Sequence, residues 1–268
     1  MANDGQREYF NDEKRVQRWP TREPFTKVAI SPLLDAASLQ PGMTVCDIGC
    51  GGGMATLQAA ELVGQTGSVV GVDISRAMVA LAASRPHPDI VQYVEADAQT
   101  DPLVGGPFDR IISQFGLMFF EDPVAAFVNL GKHLAPEGSL HGVVWQPMET
   151  NLSFMAHRLA ARGFARVTPG GRTVEVGAFA FANRDVVDEY LVAAGFERAT
   201  WNLHSLIRLS HVDEVVTRET LVLAGIDEAV VDDAYAEALL ELAAVTDANG
   251  VVHCPLDVQV LSTRLAKL

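Results

Sequence analysis

The sequence predicts an α/β fold built on a largely parallel sheet, and three observations carry that prediction. Apolar runs of strand length end at Asp47, Asp73 and Asp97, two more end near Phe115 and Trp145, and helix-length segments separate them. The first run passes straight into Gly49-Cys50-Gly51-Gly52-Gly53, which reads as a strand turning into a helix around a closely held ligand. The 268 residues, 49% hydrophobic and 20% charged, suffice for one large domain with elaborations.

Residues 1–25 read as an N-terminal cap segment ahead of a main domain, 26–268. A helix over 26–39 precedes the first strand, which ends at Asp47. Gly49, Gly51 and Gly53 lack Cβ atoms, so the backbone there can take positive φ and touch a ligand, while the helix Met54–Val63 offers free N–H groups. Asp47 discriminates among ligands. A carboxylate would repel the pyrophosphate of a dinucleotide, so a cationic ligand is expected.

Ser68–Asp73 is the second strand and ends about 20 residues after Gly53, where α/β nucleotide sites set a carboxylate against two ribose hydroxyls. Capping the helix Arg76–Ala83 is the other role open to Asp73, although Ser75 can fill it. The third strand, 90–98, carries Asp97, for which helix capping is also open. The fourth runs from Phe108 to Phe115, and its loop lies on the edge where open α/β sheets bind ligands. A helix over 123–134 and the turn Leu134-Ala135-Pro136-Glu137-Gly138 lead to the fifth strand, ending at Trp145.

Beyond Trp145 the alternation breaks. Residues 148–172 read as helix and loop closed by Gly170-Gly171; Asn183 caps a helix over 184–194; 196–209 is strand-like; 211–247 reads as helical throughout; and a final strand covers 251–264. The segments 148–172 and 211–247 are read as insertions that cap a substrate pocket. Formation of a homodimer through these helices is the alternative.

Asp47, Gly49, Gly51 and Gly53 spell D-x-G-x-G-x-G, which resembles motif I of the class I S-adenosylmethionine (SAM) methyltransferases. The run from Phe108 to Phe120 resembles motif IV of that family, and Leu134 to Leu140 its L-x-P-G-G turn, with Glu137 replacing the first glycine. Tyr9-Phe10-Asn11, Arg18-Trp19 and 116–126 resemble a bacterial small-molecule subgroup related to the ubiquinone/menaquinone type. That subgroup often has arginine where this chain has Gln114, and the quinone enzymes often carry histidine in the same loop.

The resemblance implies a Rossmann-like, seven-stranded methyltransferase sheet with an antiparallel last strand and helical cap insertions. It implies SAM as cofactor, with S-adenosylhomocysteine (SAH) as product. By the same resemblance Asp47 holds the SAM ammonium group, the glycine loop with the Cys50 backbone packs on the amino-acid end, and Asp97 and the Ala98 backbone recognise adenine. Ile74, Met78, Gln114 and Phe115 are counted with the cofactor-binding residues. The activity implied is methyl transfer to a small organic acceptor, O-methylation ahead of C- and N-methylation. A SAM-binding enzyme that does not transfer methyl but assists a cyclisation, decarboxylation or rearrangement is the alternative. An NAD-dependent oxidoreductase is disfavoured by Asp47 and by Met54, which stands where a third glycine or alanine would fall.

Methyl transfer from a sulfonium needs alignment and a dry pocket more than a strong catalyst, although an oxygen or carbon acceptor gains from a base. His157 and His211, in the predicted cap segments, and Gln114 are the catalytic candidates; His141 and His204 lie within strands, and Glu121 and Asp122 lie near motif IV. Met118 and Trp145 are expected in the pocket wall, and Phe179 and Phe181 suggest an apolar substrate surface.

A formal charge of −14 argues against nucleic acid as substrate. Arg158, Arg162, Arg166 and Arg172 concentrate locally, either as a solvated helix face or as contacts to an anionic substrate. Cys46, Cys50 and Cys254 have neither zinc-knuckle nor redox spacing and suggest a reducing compartment, and no metal site is expected because no acid pair after the fourth strand resembles that of the metal-dependent catechol type. No apolar run reaches the roughly 18 residues of a membrane span and no signal-peptide layout appears, so a cytoplasmic protein without membrane attachment is expected.

Overall fold

The computed structural model describes residues 3–160 and 177–267. Arg162, Arg166, Arg172 and the Gly170-Gly171 turn lie outside the described residues. Among those described, seven strands form one sheet: β1 (Thr44–Ile48), β2 (Ser68–Asp73), β3 (Val91–Glu95), β4 (Phe108–Gln114), β5 (Leu134–Trp145), β6 (Thr200–Ser210) and β7 (Val252–Thr263). Their order is β3-β2-β1-β4-β5-β7-β6. β1 to β5 are parallel and the last strand is antiparallel, as the resemblance implies.

Parallel strands covered on both faces read as continuous apolar runs, and β1 and β2 are buried at every position after the first. The strand order reverses between β2 and β4, on either side of β1. This makes the carboxyl edge of β1 the crevice where such sheets take ligands. In register, Asp47 lies beside Gly71 and Ile112, and Asp73 beside Glu95, so the three acid-bearing strand ends are adjacent.

The helices are α1 (Asp4–Asn11), α2 (Glu13–Lys27), α3 (Ile30–Ala37), α4 (Met54–Val63), α5 (Arg76–Ala83), α6 (Pro123–Lys132), α7 (Met155–Leu159), α8 (Arg184–Ala193), α9 (Val212–Val215), α10 (Arg218–Leu223) and α11 (Val231–Ala243). Side-chain caps fix several starts. Ser75 accepts from the Met78 N–H at 3.2 Å, Asp122 from Ala125 at 2.9 Å with Pro123 in the first turn, and Asn183 from Asp185 at 3.1 Å.

Three segments differ from the sequence reading. The N-terminal segment forms α1 and α2, and the helix expected over 26–39 is divided, its first residues closing α2. The segment 211–247 is broken into three helices, because Thr217 caps a new start by accepting from the Thr220 N–H and Gly225, at φ +93°, ends α10. At the turn into β5, Phe108 pairs with Leu134 and Arg110 with Ser139, so residues 135–138 bow out beside a single residue of β4. A Cβ on Gly138 would lie 2.7 Å from the Phe108 carbonyl oxygen, which explains the glycine.

The chain divides into two compact units, Met1–Val144 with Glu175–Leu203 and Gln259–Leu268, and Trp145–Val174 with His204–Val258. The first has a core that includes Leu33, Val45, Val72, Ile111, Phe127 and Leu140. The second has its own, around Met155, Leu159, Val216, Leu221, Leu242 and Cys254. The described part of the first predicted insertion, 148–160, and the second, 211–247, fall in the second unit. Among the described residues no helix is long and apolar enough to cross a membrane.

Candidate functional site

Asp47 is the next-to-last residue of β1 and is 1% exposed. Its Oδ2 accepts from the Thr56 hydroxyl of α4 at 2.6 Å, while Oδ1 is buried without a hydrogen-bond partner. Burial pushes the carboxyl up to about 7, against the lowering effect of the Thr56 hydroxyl and backbone N–H, and the nearby Asp73 raises it further. An unmet buried acceptor costs about 1–3 kcal/mol, so this oxygen is a ready seat for a cationic donor.

The glycine loop is pinned from below. The N–H groups of Gly49 and Cys50 donate to the Val72 carbonyl at 2.8 and 3.0 Å, and Gly51 donates to Asp73 Oδ2 at 2.8 Å. Asp73 Oδ1 accepts from Ser75 at 2.9 Å; burial raises the carboxyl, opposed by these two backbone bonds. Gly49 sits at φ +69°, and a Cβ on it would meet the Gly116 Cα at 3.0 Å. The loop can therefore lie against the end of β4 only with glycine there.

At that end Gln114 donates from Nε2 to the Thr26 carbonyl at 2.7 Å, and Ser113 donates to the Ile48 carbonyl at 2.7 Å. Phe115 follows at φ +59°, a strained conformation for a bulky residue that such sites often retain, with its N–H on the Val143 carbonyl at 3.0 Å.

The carboxylate of Asp97 is engaged from the N-terminus. Asn3 Nδ2 donates to both of its oxygens at 2.9 and 3.0 Å, and the Gln99 N–H donates to Oδ1 at 2.9 Å. Asn3 is held in turn by Glu121, its own N–H donating to the Glu121 carboxylate at 3.0 Å and its Oδ1 accepting from the Glu121 N–H at 3.1 Å. Arg7 donates to the Ile74 carbonyl at 3.2 Å and to Glu95 at 3.3 Å. The Trp19 indole donates to Glu23 at 3.0 Å, and its ring lies so near the loop that a Cβ on Gly51 would fall 2.6 Å from it. The space left beside the loop, bordered by Trp19, Glu23, Thr26, Cys50, Met54 and Gln114, is about 20 Å³, room for one water.

Of the other predicted residues, Met78 is buried in the first turn of α5, and the Ala98 carbonyl accepts from Asn129 at 3.1 Å. Asp47, Gly49, Gly51, Asp73, Asp97 and Gln114 thus come to one edge of the first unit. Met118 belongs to its core. Phe181, expected on a substrate surface, is instead 1% exposed and lies among Phe127 and Tyr190, with ring centroids at 6.1 and 6.4 Å. His141 is buried between the hydroxyls of Ser139 and Ser262, at 2.8 and 2.9 Å. Glu121 is engaged with Asn3, and Asp122 caps α6.

In the second unit Trp145 meets Phe154 edge to face at 5.1 Å, and Phe154 meets the exposed His157 at 6.4 Å. His211 is exposed and precedes α9, its N–H donating to Glu214 at 3.2 Å. Arg158 is 9% exposed and faces Glu241 at 3.1 Å, so its helix face is not the solvated one the sequence allowed. No cluster of His, Cys, Asp or Glu among the described residues could hold a metal ion.

Asn3, Arg7, Glu23 and Thr56 escape the sequence reading. Trp19, by contrast, lies in the Arg18-Trp19 pair that the resemblance singles out.

Residues 45–138, from Asp47 through the Gln114 loop to the turn at Gly138, match a family model described as a methyltransferase domain. Over these residues the chain is similar to methyltransferase domains. It is 30% identical over 184 residues to nocamycin O-methyltransferase of Saccharothrix syringae, covering 64% of this chain and 65% of that protein. It is 33% identical over 111 residues to the ubiquinone/menaquinone biosynthesis C-methyltransferase of Shewanella frigidimarina, covering 40% and 44%. The chain therefore matches less than two thirds of the length of these curated relatives. Among solved structures, magnesium protoporphyrin IX methyltransferase from Synechocystis, with bound SAH, shares the fold at a TM-score of 0.56 and 16% identity, over 97% of this chain and 98% of that one. The matched stretch includes the whole glycine loop and the acid-bearing ends of β1 and β2, with Asp97 just past β3.

Proposed function

We propose that this chain is a SAM-dependent methyltransferase acting on a small organic acceptor, with O-methylation ahead of C- and N-methylation. The observation that carries the reading is the unpartnered Oδ1 of Asp47 under a glycine loop, a seat suited to an ammonium group and hostile to a pyrophosphate. SAM, when bound, supplies a methyl group on a positively charged sulfur. Asp47 holds the ammonium group, and Gly49, Cys50, Gly51 and Gly53 bring the backbone against the amino-acid end. Asp73 accepts from the ribose hydroxyls, with one lone pair of each oxygen already committed to Ser75 and Gly51. Asp97 and the Ala98 backbone take adenine, and Ile74, Met78, Gln114 and Phe115 complete the lining.

Orientation is the main contribution these residues make, and it alone can lower a barrier by roughly 7–11 kcal/mol in the best cases. Gln114, fixed to the Thr26 carbonyl, serves as a rigid wall rather than as a base. The preference for oxygen takes its support from nocamycin O-methyltransferase, whose match covers more of both chains than that of the quinone C-methyltransferase. A formal charge of −14 favours a small molecule over nucleic acid.

The test is incubation of the purified protein with SAM and a panel of phenols, enols, carboxylic acids and amines, read by mass. A product heavier by one methylene, with SAH released, is expected. Conversion of an acceptor with no methyl gained and no SAH formed would replace this reading with that of a non-methylating SAM enzyme.

A further inference from the structure

We infer that residues 3–27 are an intramolecular competitor for the cofactor, with the Asn3 carboxamide standing where the adenine amino group would donate. This rests on the cofactor reading above and adds a regulation of the same site.

The contacts of the N-terminal segment follow the strand ends in turn. At the end of β3, the NH₂ of Asn3 reaches both oxygens of Asp97. An adenine amino group is likewise an NH₂ on a trigonal carbon, so the two offer the same acceptor the same kind of donor. At the end of β2, Arg7 donates to the Ile74 carbonyl, the Ser75 hydroxyl lies 3.0 Å from both the Phe10 carbonyl and Asn11 Oδ1, and the Ala77 N–H donates to Asn11 at 3.2 Å. At the end of β1, Trp19 and Glu23 press on Gly51 and Gly52, and Glu23 is anchored by Arg85 at 2.7 Å. These are the three ends to which adenine, ribose and the amino-acid end are given.

Asn3 is built into this position rather than resting on it. It is 2% exposed, its backbone is at φ +59°, and the reciprocal bonds with Glu121 fix both its N–H and its carboxamide oxygen. A lid that closes over a ligand leaves the acceptors beneath it free for that ligand. Here the segment itself takes both oxygens of the Asp97 carboxylate, the acceptor an adenine amino group would need, so adenine seats there only as Asn3 leaves. Docking of residues 3–27 and binding of cofactor are then reciprocal, each weakening the other by the same factor.

The experiment uses the full chain and its Asn3→Ala and Arg7→Gln variants, titrated with SAH by calorimetry and digested briefly with trypsin with and without SAH. Competition predicts that Asn3→Ala binds SAH about tenfold more tightly, because the competent state is more populated, and that Arg7→Gln moves in the same direction. It also predicts that SAH speeds cleavage within residues 3–27 of the unaltered chain. Cleavage slowed by SAH overturns the inference whatever the affinities, since that is what a closing lid gives. Equal or weaker SAH binding by both variants overturns it too. Failure of all three chains to bind SAH strikes the cofactor reading itself, and the competition falls with it.

Discussion

The hydroxyl of Thr56 donates to one oxygen of the Asp47 carboxylate at 2.6 Å, and the other oxygen of that carboxylate meets no donor. Helix α4 therefore grips the acid from one side only, and its first turn sets both the glycine loop and the carboxylate. Replacing Thr56 by valine keeps the shape and removes the donor. The unliganded chain is expected to lose about 1–3 kcal/mol, seen as a lower denaturation midpoint in urea.

The pH dependence of ligand binding follows from the same residue. Burial raises the Asp47 carboxyl from 3.8 to about 7, so the folded chain holds this proton where the unfolded chain has lost it. The stability this contributes is fully present below 3.8 and is lost as pH rises through about 7. A ligand ammonium group favours the ionised carboxylate. SAH affinity is therefore expected to rise with pH through about 7, and Asp47→Asn should bind weakly with a flatter profile, both read by calorimetry across a pH series.

Asp73→Ala removes the ribose acceptor and also the acceptors of the Ser75 and Gly51 N–H groups. With hydrogen bonds to charged groups worth about 1.5–3 kcal/mol each, SAH affinity should fall by about tenfold or more. An unchanged dissociation constant would contradict the ribose assignment.

Much of this edge was legible in the sequence because its signals are local. The glycines after Asp47, the Ser75 cap and the apolar runs of β1 and β2 each lie within a few residues of the element they specify, and the boundaries of α4 and α5 fall where those residues predict. The bonds from Asn3 reach across 94 residues to Asp97 and 118 to Glu121, and no local pattern encodes them. Thr217 and Gly225 were local signals too, but the helix-favouring composition around them masked the breaks they make. The burial of Phe181 and the strain at Phe115 come from tertiary packing, which propensity does not carry.

His141 supplies a test of the sheet independent of any ligand. Burial, with Arg110 adding to it, lowers its pKa from 6.5 to about 4, so the folded chain keeps it neutral between the two Ser hydroxyls. The unfolded chain binds the extra proton first on acidification. Stability from this group is thus fully present above 6.5 and falls as pH drops toward about 4, by up to about 3 kcal/mol. His141→Gln should flatten that part of a stability profile measured by urea denaturation.

Gly49→Ala tests the close approach of the loop to β4. The new Cβ would stand 3.0 Å from the Gly116 Cα at a φ of +69°, so a loss of about 1–3 kcal/mol in stability is expected by thermal denaturation, together with weaker SAH binding.

The central claim, that Asp47 and the glycine loop receive a cationic amino-acid nucleoside, is tested most directly by calorimetric titration of the purified chain with SAH, with NAD as the control ligand. Saturable micromolar binding of SAH and none of NAD is expected. Binding of NAD alone, or of neither ligand, would contradict it.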